Sequence, residues 1–337
     1  MKVKRIVFMM IAAALVLAGL GTAQAQDKKT IAEIVVESSK AATPEFTTLL
    51  AAVSAADESV LTALSDPMST LTVFAPTDAA FAAAKEALGE EAFAALLADK
   101  EALTSVLLFH VLGTAVMSKD VVAGLEGTDT LQVPSLQGQT IDITKDGDAI
   151  LINGAALNLK MVDIEASNGV IHVIDAVILP ESRTIAEIVV AAASAETDAQ
   201  FKTLLAAVQA ADPGVLDALS NREASLTVFA PTDAAFEALV AALGEDAFNK
   251  ILADQAQLSN ILLYHVVPNA ASSFAVAALL GENKEVEVDT ALEGSKAKIM
   301  VAEDGSLMIN NAKIVMTNID AANGVIHVID AVLVPGN

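Results

Sequence analysis

Four histidines, His110, His172, His265 and His327, are the side chains of this 337-residue sequence whose type best suits acid–base or metal chemistry. Two of them stand in a decapeptide, NGVIHVIDAV, found at 168–177 and again unchanged at 323–332. The other two end the helical-looking runs KEALTSVLLFH and QAQLSNILLYH. A working imidazole needs a carboxylate that orients it as a general base, or further ligands that close a metal shell. Read as a strand, VIHVIDAV places Val170, His172, Ile174 and Ala176 on one face and Ile171, Val173, Asp175 and Val177 on the other. His172 and Asp175 then point apart, so no triad forms within the strand. The apolar setting, repeated, marks packing positions. The reading favoured for His172 and His327, with His110 and His265 as counterparts, is a core imidazole bonded to backbone or a nearby hydroxyl.

Other signatures of catalysis are missing: the sequence has no H-E-x-x-H, no G-x-S-x-G and no G-x-x-x-x-G-K-[ST]. Paired carboxylates, Glu90 with Glu91 and Glu245 with Asp246, open expected helices, where negative charge complements the helix dipole. The stretch TKDGDA at 144–149 reads as a turn, not a calcium loop. Thr77 and Thr232 are expected helix N-caps, with Asp78 and Asp233 favourable in the first turn after them. Asp175 and Asp330, set between apolar neighbours, must find donors if buried, and backbone amides or a basic side chain near the end of the sheet are the expected partners. No catalytic, cofactor-binding or metal-binding residue is assigned.

Charge narrows the partners further. Forty-three acidic residues against 19 basic ones give a formal net charge of −24, which repels phosphate backbones and argues against nucleic acid. Lys2, Lys4 and Arg5, an apolar run from Ile6 to Leu20, and Ala23-Gln24-Ala25 compose a secretory signal over residues 1–25 with cleavage after Ala25. The apolar run is shorter than the roughly 20 residues a spanning helix needs, so no membrane insertion is expected after cleavage. The expected location is periplasmic or extracellular. With no cysteine, such a chain is held by packing alone, and 54% hydrophobic residues suffice for that.

These side chains must be positioned by a structure that occurs twice. TIAEIVV stands at 30–36 and 184–190, LLAAV at 49–53 and 204–208, and LTVFAPTDAAF at 71–81 and 226–236. The offset is 154 at first and 155 afterwards. Each copy has the size of one domain, here 30–180 and 184–335, joined by only Glu181, Ser182 and Arg183. In each copy capped helices come first, then LTVFAP as a short strand, then helices through KEALTSVLLFHVL or QAQLSNILLYHVV. Beyond about 130 and 285 strands follow, separated by turn dipeptides at Asp146-Gly147, Asn153-Gly154, Asn168-Gly169, Asp304-Gly305 and Asn323-Gly324. Helices segregated from a mostly antiparallel sheet make an α+β domain.

LTVFAPTDAAF, the pairs Phe109-His110 and Tyr264-His265, and the blocks NGVIHVIDAVILP and NGVIHVIDAVLVP resemble, in that order and twice over, the conserved blocks of the fasciclin domain family. The resemblance implies two tandem domains, each a β-wedge of two mostly antiparallel sheets flanked by several helices. It also implies adhesion or matrix binding by secreted or surface-attached proteins, with no shared catalytic residue. In animal members, integrin-dependent adhesion is associated with a Tyr-His region and with an Asp-Ile pair before the second block. The matching positions here are Tyr264 and His265 in the second copy and Asp163 and Ile164 in the first. Phe109 and Asn318 stand where the other copy would need Tyr and Asp, so neither domain holds both features.

The function expected is therefore non-enzymatic binding of a cell-surface or matrix protein or polysaccharide through two tandem domains. A self-associating envelope scaffold or stress-related protein is the alternative. A small-ligand carrier or enzyme comes last, because it needs an enclosed pocket lined by converging polar groups.

Overall fold

The structure is a computed structural model that describes residues 28–197, 199–281 and 283–336. The secretory signal expected over residues 1–25 lies outside the described residues. The chain divides into two compact units between Pro180 and Glu181.

The first unit opens with three helices, α1 (Ile31–Ser38), α2 (Thr47–Ala55) and α3 (Glu58–Ser65), then strand β1 (Leu71–Pro76). Helices α4 (Asp78–Leu88), α5 (Glu90–Ala98) and α6 (Lys100–Phe109) follow, then β2 (Val111–Leu112) and α7 (Ser118–Gly124). The remainder is strands: β3 (Thr130–Pro134), β4 (Thr140–Asp146), β5 (Ala149–Ile152), β6 (Ala155–Ala156), β7 (Ile164–Ala166) and β8 (Gly169–Ile174). They form two four-stranded sheets, ordered β2-β1-β8-β7 and β3-β4-β5-β6. All pairings are antiparallel except the central one, in which β1 and β8 run parallel from Leu71 opposite Gly169 to Pro76 opposite Ile174.

That pair is covered on both faces, which is why both strands read as unbroken apolar runs. Val73, Ala75, Ile171 and Val173 pack into the helical layer with Ile31, Leu49 and Phe81. Phe74 and Ile174 face the second sheet, packing with Phe109, Ile141 and Ile152. His172 lies on this second face, as the strand alternation predicts.

The second unit repeats the plan with α8 (Ile185–Ala193), α9 (Lys202–Ala210), α10 (Pro213–Ser220), β9 (Leu226–Pro231), α11 (Asp233–Leu243), α12 (Glu245–Ala253), α13 (Gln255–Tyr264), β10 (Val266–Val267) and α14 (Ser273–Leu280). Its later strands are β11 (Glu285–Asp289), β12 (Lys296–Val301), β13 (Leu307–Ile309), β14 (Ala312–Ala321) and β15 (Gly324–Ile329). Here β14 is one long strand that joins both groups into a seven-stranded sheet. The reason is chain length. Asn153 and Asn310 occupy matching left-handed turns, with φ 46° and 50°, and Asp163 and Asn318 match again at φ 54° and 56°. The first copy has two residues more between these points, and the excess breaks the strand into β6 and β7. The constant offset of 155 therefore fails locally.

Several expectations are corrected. Thr77 and Thr232 do cap α4 and α11, accepting from Ala80 N at 3.0 Å and Ala235 N at 3.1 Å. The carboxylates beside them stand in the first turns of α4 and α11 as expected, and they also serve other helices: Asp78 accepts from Thr47 N, Thr48 N and the Thr47 hydroxyl at 3.1, 2.7 and 2.8 Å, and Asp233 from Lys202 N and Thr203 N at 3.2 and 2.8 Å. Helices α2 and α9 start after Phe46 and Phe201, which are left-handed at φ 64° and 63° and offer no capping side chain. Asp78 and Asp233 supply the missing caps from across the fold. The run KEALTSVLLFHVL is not one helix; it turns at His110 so that Val111 and Leu112 pair with β1. Short helices, α7 and α14, stand between that turn and the later strands.

The dipeptides Asn168-Gly169 and Asn323-Gly324 are not the turns. Ala166 pairs with Gly169, so the turn is at Ser167 and Asn168. Asn168 is fully buried: its Oδ1 accepts from Ile31 N at 2.9 Å, and its Nδ2 donates to Leu64 O at 2.9 Å and Asp66 O at 3.1 Å. One amide thus ties the start of α1 to the end of α3, and Asn323 does the same with Ile185 N, Leu219 O and Asn221 O. Gly169, at φ 149°, lies so close to β1 that a Cβ would sit 2.0 Å from Leu71 O. Asn168→Ala leaves up to three backbone groups without partners, at about 1–3 kcal/mol for each that water cannot reach. Denaturant unfolding of the first unit is expected to show a loss of about 3 kcal/mol or more, with the second unit unchanged.

Candidate functional site

Each histidine closes a defined gap in the backbone bonding. His110 ends α6, where the last carbonyls lack intrahelical partners. Its Nε2 accepts from Ile178 N at 3.1 Å, so Nδ1 carries the proton and donates to Val106 O at 2.8 Å. His265 repeats this with Leu333 N at 2.9 Å and Ile261 O at 2.8 Å. His172 is the opposite tautomer. Its Nδ1 accepts from Asp163 N at 3.2 Å and its Nε2–H donates to Val116 O at 2.8 Å. His327 does the same with Asn318 N at 3.2 Å and Ala271 O at 3.0 Å. Both ring nitrogens of all four are engaged by backbone, leaving none to take a substrate proton or a metal ion.

Ser118, Asp163 and His172 bring together the residue types of a nucleophilic triad, in the wrong arrangement. The Ser118 hydroxyl donates to Asp163 Oδ2 at 2.5 Å, Ser118 N donates to Asp163 Oδ1 at 2.7 Å, and the ring meets the backbone of Asp163. A triad requires the imidazole between serine and carboxylate. Here the carboxylate caps α7. Burial works against its charge, but the two Ser118 donors outweigh it and hold the Asp163 carboxyl below its usual range.

The four residues singled out as a contact surface are placed differently from that expectation. Tyr264 and His265 are 4% and 3% exposed. The Tyr264 hydroxyl donates to Lys296 O at 2.8 Å and accepts from Asn310 Nδ2 at 3.0 Å. Asp163 and Ile164 are half-buried, the first as a helix cap and the second against the helical core. A partner can feel these residues mainly through the fold they hold. Asp175 and Asp330 are exposed, and each finds the expected backbone donor, Ala156 N at 2.6 Å and Lys313 N at 2.7 Å. They tie the ends of β8 and β15 to β6 and β14.

Two kinds of cavity occur. Apolar ones of about 40 and 30 Å3 lie at equivalent places among α1, α2 and α3 and among α8, α9 and α10. An open groove of about 530 Å3 in the second unit is lined by Tyr264, Glu287, Lys296, Lys298, Met300 and Asn310. Neither is an enclosed pocket of converging polar groups. Among the described residues, no three His, Cys, Asp or Glu side chains are grouped to hold a metal ion, and no helix is long and apolar enough to cross a membrane.

The buried rings make stability depend on pH. Burial pushes His110, His265 and His327 down from 6.5 to about 4, against the smaller opposing effect of their backbone carbonyl partners. Between these values the unfolded chain binds protons that the folded chain refuses, so stability is full above about pH 6.5 and falls as pH drops toward 4. Each ring contributes on the order of 3 kcal/mol over that window. Urea unfolding at pH 7.5 and 4.5 is expected to show both units less stable at the lower pH.

The comparisons with known proteins match this architecture. The fasciclin domain model fits residues 44–180 and 199–335. Protein sll1483 of Synechocystis sp. is 40% identical over 153 residues, 44% of this chain and 73% of that protein. Transforming growth factor-beta-induced protein ig-h3 of Sus scrofa is 30% identical over 291 residues; the match spans 86% of this chain but only 36% of that longer relative. Cell surface glycolipoprotein MPB83 of Mycobacterium bovis is 33% identical over 147 residues, 43% of this chain and 60% of its own length. With three blocks repeated in order, two α+β units of one plan and a family model that fits both, the chain belongs to the fasciclin domain family.

Proposed function

We propose that this protein is an exported, non-enzymatic adhesion module, periplasmic or extracellular, whose two fasciclin domains bind a repeating cell-surface or matrix protein or polysaccharide together. The observation that carries this reading is that the side chains best suited to chemistry, the four histidines with Asp163, are consumed in holding the backbone, while the whole domain is duplicated. Duplication without a reactive centre favours binding through surface, since a second site on the same chain raises the effective concentration of the first contact. The name of the MPB83 relative places that protein at a bacterial cell surface, in keeping with the secretory signal read over residues 1–25. The acidic surface points the same way for location and against nucleic acid.

The test compares the mature tandem chain with each domain alone, which is reasonable because each has its own core. Dissociation from immobilised envelope and matrix polysaccharide fractions is measured at 50 and 500 mM salt. The tandem is expected to dissociate on the order of 100-fold more slowly than either half. Equal rates would remove the bivalent part of the proposal, and no retention by any form would remove the adhesion reading itself.

A further inference from the structure

We propose that Ser118, Asp163 and His172 form an acid-responsive clamp on α7 of the first domain, and that the second domain lacks the response because Asn318 stands in place of Asp163. The two sites share much of their bonding. Asp163 and Asn318 share a left-handed backbone, at φ 54° and 56°, and each donates its N–H to the Nδ1 of a buried histidine at 3.2 Å. Each also caps a short helix, Asp163 through Ser118 and Asn318 through Ser273 N at 2.7 Å and the Ser273 hydroxyl at 2.7 Å. What differs is the charge at this position, the direction of the bond with the serine hydroxyl, and the N-cap residue, Met117 before α7 and Ser272, which accepts from Ala275 N at 3.4 Å, before α14.

A proton arriving on His172 Nδ1 turns that atom from acceptor to donor. The Asp163 N–H then loses its partner, and the Asp163 carboxylate, with Oδ1 at 3.9 Å, becomes the group that a positive ring attracts. Oδ1 is the same oxygen that receives Ser118 N. Closing on the ring therefore draws the carboxylate away from the start of α7, whose own N-cap residue, Met117, has no hydroxyl or carboxylate to replace it. In the second domain a proton on His327 meets a neutral amide, and burial holds that ring at about 4. Charged groups near the first site are Asp163 itself, Lys119 and Asp120 on α7, and Glu165 on β7, which stands opposite Val170 and pairs with Lys28. Lys119 acts on Asp163, and Asp120 accepts from Met117 N at 3.3 Å. From β1 the ring meets uncharged Phe74, centroid to centroid at 6.0 Å. The helix that would loosen carries Val122, half exposed at 50%, so the response reaches the surface of the first domain.

The experiment is an NMR titration of the four histidine rings in the full mature chain from pH 8 to 4, with amide exchange followed at Ser118 to Val121 and at Ser273 to Val276. Over this drop, exchange at the start of α7, corrected for intrinsic pH dependence, is expected to rise at least tenfold relative to the start of α14. Asp163→Asn should abolish the difference in exchange. The reciprocal Asn318→Asp should raise His327, and it keeps the idea testable should Asp163→Asn fold poorly. Equal exchange at the starts of α7 and α14 in the unaltered chain, or indifference of His327 to Asn318→Asp, overturns the proposal.

Discussion

The parallel contact between β1 and β8, with its copy between β9 and β15, is what the rest of each domain depends on. Six residues of each strand are in register, and nearly all are buried on both faces. A parallel pair cannot be closed by a hairpin, so the chain must travel through α4 to α7 and the whole second sheet before β8 returns beside β1. Such a long return gives the pair no local help in finding register. Gly169 and Gly324 provide it sterically, because their backbones approach Leu71 and Leu226 so closely that any Cβ would overlap a carbonyl oxygen. Asn168 and Asn323 then lock the adjoining turn to the first and third helices.

Burying strands on both faces raises a second problem, which the histidines solve. Segments that leave the central sheet, such as those at Val116, Asp163 and Ile178, carry backbone groups with no ladder partner. An unpaired buried group of this kind costs about as much as a lost hydrogen bond. A neutral imidazole has one donor and one acceptor on opposite sides of a rigid ring, so it can bridge two such groups several ångströms apart. His110 joins the end of α6 to the segment after β8, and His172 joins the approach to α7 with the approach to β7. The ring must remain neutral to do this. Structural use of histidine therefore brings acid sensitivity with it.

The repeated blocks, the α+β class, the caps at Thr30, Thr77 and Thr232 and the strand face of His172 were legible because each depends on local chemistry or on exact duplication. What was not legible depends on distant partners. Asn168-Gly169 has the composition of a turn, and only the nearness of α1, α3 and β1 shows that the amide and the missing Cβ serve packing instead. Asp78 looks like a first-turn charge on its own helix, and its real acceptor role is set by α2, some 30 residues earlier, whose left-handed Phe46 leaves a cap vacant. The family resemblance offers Tyr264 and His265 as a contact surface, and only the structure shows both side chains buried, with their polar atoms bonded to Lys296, Asn310, Ile261 and Leu333.

Many of the residues identical in the two copies build the interior, β1 and β8 with β9 and β15 above all. The exposed faces differ. On the outer side of the second sheet the first domain sets Gln132 against Asp142, whereas the second sets Lys296 and Lys298 against Asp289 and Glu285 and opens a groove beside them. Lys296 pairs weakly at such exposure, since solvent screens both charges. Beneath this face the duplicated aromatic also differs: Phe109 is wholly apolar, while Tyr264 reaches through to hold Lys296 O and Asn310. Tyrosine thereby stiffens the strand that presents the lysines. The single hydroxyl separating the two copies at this position bonds β12 and the Asn310 turn at the floor of that groove.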